Sequence, residues 1–226
     1  MLNMRSIDMT ATARIRDAAI SQFGEHGFGV GVRSIADAAA VSPGLVIHHF
    51  GSKDGLRQAC DAHVAELIRS AKSESLKTHD PATWLSQLTE VEDFAPAMSY
   101  LVRSLQSGSD LAKSLWRTMI DNAETYLEEG VRAGTLKPSR DPKARARFIA
   151  MTSGGAFLLY LQLHGNPADM RAVLHDYMQD MTLPALEIYS DGLLADHTMY
   201  DTFADQFRQG LPIKTTTEGE DDVGTA

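Results

Sequence analysis

The side chains with a recognisable chemical task concentrate between Arg33 and Lys53, in the stretch RSIADAAAVSPGLVIHHFGSK. At helical spacing Val46 and Phe50, four apart, share one side, which leaves Ser42, Gly44, Leu45 and His48 on the other. A hydroxyl, a bare stretch of backbone, an aliphatic tip and an imidazole suit recognition of a polar groove better than covalent catalysis. On this reading Ser42, Gly44, Leu45 and His48 face base edges, Leu45 meeting thymine methyls and His48 donating to guanine or phosphate. Pro43 opens the helix and His49 adds polar reach beside His48. Lys53 and either Arg14 or Arg33 are the cations for phosphates, whose binding is dominated by charge.

Other chemistry has little in the sequence to stand on. There is no Gly-rich phosphate loop, no Gly-x-Ser-x-Gly elbow and no His-Glu-x-x-His. Of eight histidines only His48 and His49 are close in sequence, and neighbours on a helix point about 100° apart. No metal site and no cofactor is expected. The single cysteine, Cys60, excludes an intramolecular disulfide. It falls on an apolar stripe with Leu56 and Val64, where a free thiol acts as a small hydrophobe.

Positioning the reading residues takes two short helices and a tight joint. Val32, Ile35, Ala36 and Ala39 follow the i, i+3, i+4, i+7 pattern of a first helix. Ala40, Val41 and Ser42 form the joint. Ser42-Pro43 is a start signal, because a serine hydroxyl accepts an orphan N–H and proline at the first helical position forgoes no useful donor. The pair has the arrangement of a helix-turn-helix, whose second helix lies in the DNA major groove. A plain αα-hairpin within an all-helical enzyme or adaptor is the alternative. Before the pair, a helix from Thr10 to Glu25 turns Ile15, Ala18, Ala19 and Phe23 inward. After it, Ser52 caps a long helix from Lys53 that links head to body.

From about Thr10 to Val64, through ARIRDAAISQFGEHGF, VRSIADAAAVSPGLVIHHF and GSKDGL, the chain resembles the tetracycline-repressor (TetR) family of bacterial transcription regulators. Two departures stand out. Val30 and Gly31 replace a Thr or Ser at the start of the second helix, and Ile47 replaces a Tyr, so two hydroxyls able to reach phosphate are missing. The resemblance implies an all-α fold, with a three-helix helix-turn-helix head and a larger C-terminal helical domain for ligand binding and dimerisation. The expected division is a flexible arm at 1–9, the DNA-binding domain at 10–56, an effector and dimerisation domain at 57–210 and a disordered tail at 211–226. The implied partners are a double-stranded DNA operator, a second copy of the chain and an unidentified small-molecule effector that releases a repressor from DNA.

The body reads as a series of further helices, over about 94–106, 110–133, 142–164 and 168–192, with Pro184 kinking or restarting the last of these and a short helix at 198–209. No stretch alternates with period two between turn residues, so no sheet is expected. Met98, Trp116, Met119, Asn122, Tyr126 and Phe157 are candidates to line an apolar ligand cavity. Asn122 interrupts an apolar stripe and must find a hydrogen-bond partner if buried, most simply within the protein. Adjacent Gly154 and Gly155 inside a helix each cost about 1 kcal/mol relative to Ala. Close approach of another helix would compensate, and the family resemblance makes that helix one of a partner subunit, with Leu159, Leu174 and Met178 also in the dimer interface.

The 226 residues carry a net charge of −9. Residues 1–60 nevertheless hold six basic groups (Arg5, Arg14, Arg16, Arg33, Lys53, Arg57) against five acidic ones (Asp8, Asp17, Glu25, Asp37, Asp54). A near-neutral head on an acidic body suits a protein with few, local phosphate contacts. No segment approaches the roughly 18 apolar residues of a membrane span, and MLNMRSIDM lacks the apolar run of a signal peptide. No membrane partner and a cytoplasmic location are expected.

Overall fold

The protein is seen in a computed structural model, of which residues 11–209 are described. The expected arm at 1–9 and tail at 211–226 lie outside the described residues. Ten α-helices follow in order: α1 (Ala11–His26), α2 (Val32–Ala38), α3 (Pro43–Phe50), α4 (Lys53–Leu76), α5 (Pro81–Thr89), α6 (Ala95–Ser107), α7 (Asp110–Ala133), α8 (Pro142–Leu163), α9 (Met170–Asp191) and α10 (Thr198–Gln209). A 3-10 turn, Val91–Phe94, leads into α6. No strand occurs among the described residues. One compact unit ends at Met181 and a second begins at Thr182.

The first helices form where apolar spacing and caps agree. Ile15, Ala19 and Phe23 of α1, Ile35 and Ala36 of α2, Val46 of α3 and Leu56, Cys60 and Val64 of α4 are completely buried in one core. Each large aliphatic or aromatic side chain removed from water there contributes about 1.5–3 kcal/mol. Gly27, at φ +78°, ends α1 in the left-handed conformation that glycine tolerates. Gly55 is required by packing, since a Cβ there would lie 2.2 Å from the Phe50 carbonyl oxygen. That contact fixes the start of α4 against the end of α3.

The long helix α4 links head to body, as expected, but it is not the only link. Tyr100 and Leu101 of α6 and Leu115 of α7 share the same core as α1 to α4. A Cβ on Gly24 of α1 would come within 2.9 Å of Ser99 Cβ and 3.0 Å of the Tyr100 nitrogen, so α1 and α6 pack nearly backbone to backbone. The Arg103 guanidinium donates to the Gly24 carbonyl at 3.2 Å. Sequence periodicity shows that a helix has an apolar face but not which helix covers it.

A polar network sits in this joint. The buried Tyr100 hydroxyl donates to Asp61 Oδ1 at 2.6 Å, with the Arg57 carbonyl 3.2 Å away. The Arg57 guanidinium stacks 3.6 Å from the centre of the Phe28 ring and donates to Ser109 Oγ at 3.1 Å. Ser109 is the N-cap of α7. Burial raises the Asp61 pKa, against the lowering effects of the Tyr100 hydrogen bond and the Arg57 charge. Burial and the Asp61 carboxylate together push the Tyr100 phenol far above its ordinary value, so it remains a donor.

In the body, Asn122 Nδ2 donates to the Ala65 carbonyl at 3.3 Å, the protein-internal partner expected for it. Helix α8 runs unbroken through both glycines. Gly154 is explained within the chain: a Cβ there would lie 2.5 Å from Trp116 Cη2, so the indole of α7 occupies that space. Gly155 has nothing within 4 Å of its Cβ position. Helix α9 continues through Pro184 instead of restarting there. In the second unit, Leu183, Tyr189, Phe203 and Phe207 are exposed.

Candidate nucleic-acid interface

The reading helix is defined at both ends by its own sequence. Ser42 has extended backbone angles, φ −77° and ψ 148°, and its hydroxyl accepts from the Leu45 N–H at 3.2 Å. Pro43 follows at the first helical position. At the other end Gly51, at φ +73°, donates its N–H to the Ile47 carbonyl at 2.8 Å, and Ser52 immediately caps α4 through the Gly55 N–H at 3.0 Å. The joint before α3 contains Ala40 at φ +53°, a left-handed angle that a residue with a Cβ adopts at a cost of about 1–2 kcal/mol. The turn geometry is therefore imposed by the packing of α2 and α3.

With Val46 fully buried, α3 cannot roll on its long axis without exposing that side chain. Its outward residues are Ser42, Pro43, Gly44, Ile47, His48 and His49, all exposed. Gly44 has only Ser42 Oγ, at 3.9 Å, near its Cβ position, so a partner surface can approach its backbone closely. The rings of His48 and His49 meet edge to face at 5.4 Å. His49 Nδ1 lies 3.3 Å from Thr12 Oγ1, which steadies this imidazole against the start of α1.

Two of the expected contact residues stand differently. Leu45 is half-buried and packs against the core of the head, so it is not the free aliphatic tip that the spacing implied. A three-residue difference from Ser42 does not fix a side chain's direction when the helix is flanked by neighbours on more than one side. Lys53 Nζ donates to the Phe28 carbonyl at 2.6 Å and lies 6.0 Å from the Phe23 ring centre. An ammonium has three donors, so two remain for another acceptor. Arg14 on α1 and Arg33 on α2 are exposed. Ile47, 43% exposed in the middle of the outward face, was not among the expected contacts, although its spacing from Pro43 and Gly44 was readable.

The expected ligand-lining residues are distributed over three core clusters. Met98 packs against both the core shared by head and body and a second cluster that holds Phe157, Val173 and Leu174, Met119 packs against the first of these, and Tyr126 packs on a third around Ala123 and Leu127. Trp116 lies over Gly154, and Asn122 is bonded to Ala65. Two open clefts lie among the described residues, one beside Ser21, Ser99 and Arg171 and one beside Arg69 and Lys77. Neither is lined by any of those six residues. No group of three or more His, Cys, Asp or Glu among the described residues could hold a metal ion, and no helix there is long and apolar enough to cross a membrane.

The expected dimer residues also separate. Leu174 is buried in the chain's own second core cluster and Met178 is half-buried, so Leu174 cannot be a surface contact. Gly155 and Leu159 are exposed on α8. They lie in a row with Phe148, Thr152 and Leu163 at i+4, i+3, i+4 and i+4 spacing, and Leu159 and Leu163 are 62% and 78% exposed.

Residues 15–60 match the family model described as bacterial regulatory proteins, tetR family, and residues 92–195 match the tetracyclin repressor-like C-terminal domain. The chain is 67% identical over 207 residues to the HTH-type transcriptional regulatory protein RaaS of Mycobacterium tuberculosis, covering 92% of this chain and 98% of that protein. It is 31% identical over 199 residues to the HTH-type transcriptional regulator BetI of Burkholderia pseudomallei, covering 81% of this chain and 97% of the relative. Among solved structures, SmeT, the repressor of the Stenotrophomonas maltophilia multidrug efflux pump SmeDEF, superposes with a TM-score of 0.52 at 23% identity, over 79% of this chain and 90% of SmeT. The SmeT–triclosan complex gives a TM-score of 0.51 at 22% identity, over 78% and 91%.

Proposed function

Because the chain belongs to the TetR family of DNA-binding transcription regulators, a class that acts without catalysis, we propose that it is a homodimeric repressor that reads its operator through α3 and leaves it when a small molecule binds the body. The single observation that carries the reading is the outward face of α3, which is short, largely uncharged, capped at its start and locked against rotation by Val46. Such a face presents side chains to base edges, while the cations beside it supply phosphate contacts. Pro43, Gly44 and His48 line the groove, with Ser42 at its edge, and Arg14, Arg33, His49 and the two spare donors of Lys53 hold the backbone.

Dimerisation follows from the length of α3. One helix of eight residues spans too few base pairs for useful specificity, and a dimer reads two half-sites. The row Phe148, Thr152, Gly155, Leu159 and Leu163 on α8 is the proposed contact. Release by an effector is supported by the shared core of α1, α4, α6 and α7, since a ligand that fits only one arrangement of α6 acts on α1 and α4 together. SmeT, a repressor of the same fold, has a complex with triclosan.

The deciding measurement is binding of the full chain to duplexes covering the region upstream of its own gene, titrated against salt. Specific binding that weakens steeply with salt is expected, and Arg33→Ala should reduce the slope of log K against log salt by about one. Equal affinity for every duplex at moderate salt would end the repressor reading.

A further inference from the structure

The reading face of α3 contains one aliphatic side chain whose position is fixed and whose chemistry allows a narrow set of partners. Ile47 stands 43% exposed. It lies one turn beyond Pro43 and Gly44, in a part of the face that carries no charge. A single apolar residue on a protein surface ordinarily requires no explanation. Here, however, three constraints hold it outward. Val46 on its N-terminal side is fully buried, the Ser42 cap fixes the start of the helix, and the contact between Gly55 and the Phe50 carbonyl fixes its end. Turning Ile47 inward would bring Val46 into water.

We infer that Ile47 is a specificity-determining residue that reads the 5-methyl group of thymine in the major groove. The inference rests on the DNA-reading role proposed for α3. An isoleucine side chain has neither donor nor acceptor, so it can recognise neither phosphate oxygen nor the polar base edges. The apolar feature that the four ordinary base pairs present in the major groove is the thymine methyl. Leu45, the other aliphatic residue on this part of the helix, packs against the head's own core. Gly44 lets the backbone come close to the groove floor, which brings Ile47 within contact distance of a base.

The test uses full-length protein and the duplex it enriches from a randomised library, with each thymine replaced in turn by deoxyuridine, which lacks only the methyl group. Wild-type binding should weaken about fourfold at one thymine position, repeated by symmetry in the second half-site, the worth of one buried methyl group. Ile47→Ala should keep its helical far-UV circular dichroism and bind the thymine and uracil duplexes equally. Indifference of the wild type to uracil at every position overturns the inference, as does a uracil penalty that survives in Ile47→Ala. If the library enriches no sequence, the DNA-reading role itself fails and the inference falls with it.

Discussion

The inner face of α6 and the outer face of α8 are both rich in small and apolar residues, yet they end up in opposite conditions. Against α6 the chain supplies its own partner. Gly24 of α1 is fitted to the α6 backbone, Tyr100 is bonded to Asp61, and Arg57 joins the ring of Phe28 to the cap of α7. On α8 the row from Phe148 to Leu163 has no such cover, and Gly155 faces open space. A surface closed within the chain combines apolar burial with buried polar groups that specify one arrangement. A surface covered by a second copy, as proposed for α8, needs only a complementary apolar stripe, because the partner brings the same residues. The comparison also divides two glycines that look alike in the sequence, since Gly154 accommodates Trp116 and Gly155 accommodates nothing within the chain.

The largest effect should come from charging the open face. Leu159→Glu places an unpaired carboxylate in the proposed dimer contact and should raise the dimer dissociation constant at least about 100-fold, about 3 kcal/mol, while leaving the monomer folded. Sedimentation at micromolar concentration checks this, and a persistent dimer would move the interface away from α8. Breaking the closed face should instead cost stability. Tyr100→Phe leaves Asp61 buried without its hydroxyl donor and should lose about 1–3 kcal/mol at neutral pH, read from urea midpoints.

The same variant has a pH signature. The folded-state pKa of Asp61 lies above the ordinary 3.8 because of burial. Between that value and its raised pKa the folded state binds more protons than the unfolded state. Its contribution to stability is therefore present in acid and is lost as pH rises through the window. Removing the Tyr100 hydroxyl, which lowers the pKa, extends the window upward. The deficit of Tyr100→Phe should thus be smallest in acid and full at neutral pH. A pH-independent deficit would mean that the hydroxyl contributes packing alone.

The smallest effects come from one substitution made at both faces. Gly24→Ala should destabilise by about 1–3 kcal/mol through the clash with Ser99 and Tyr100. Gly155→Ala, measured in the monomeric Leu159→Glu background, should stabilise by about 1 kcal/mol through helix propensity. Equal signs at the two positions would erase the distinction between a closed and an open face.

The sequence by itself determined the helices, their caps and the reading head. Ser42-Pro43, Ser52 and the apolar spacing of Val46 with Phe50 are local signals, acting over one or two turns, and local physics fixes them whatever the rest of the chain does. Family membership was legible for the same reason, because the matched motifs are consecutive stretches. Tertiary structure decided which partner each face receives. That Leu45 turns to the core while Ile47 stands free, that Lys53 bonds the Phe28 carbonyl, that Leu174 is interior, and that α6 packs directly on α1 all depend on contacts between residues far apart in the chain. Periodicity gives the direction of an apolar stripe around its own helix axis. It carries no information on which other helix, or which other molecule, meets that stripe.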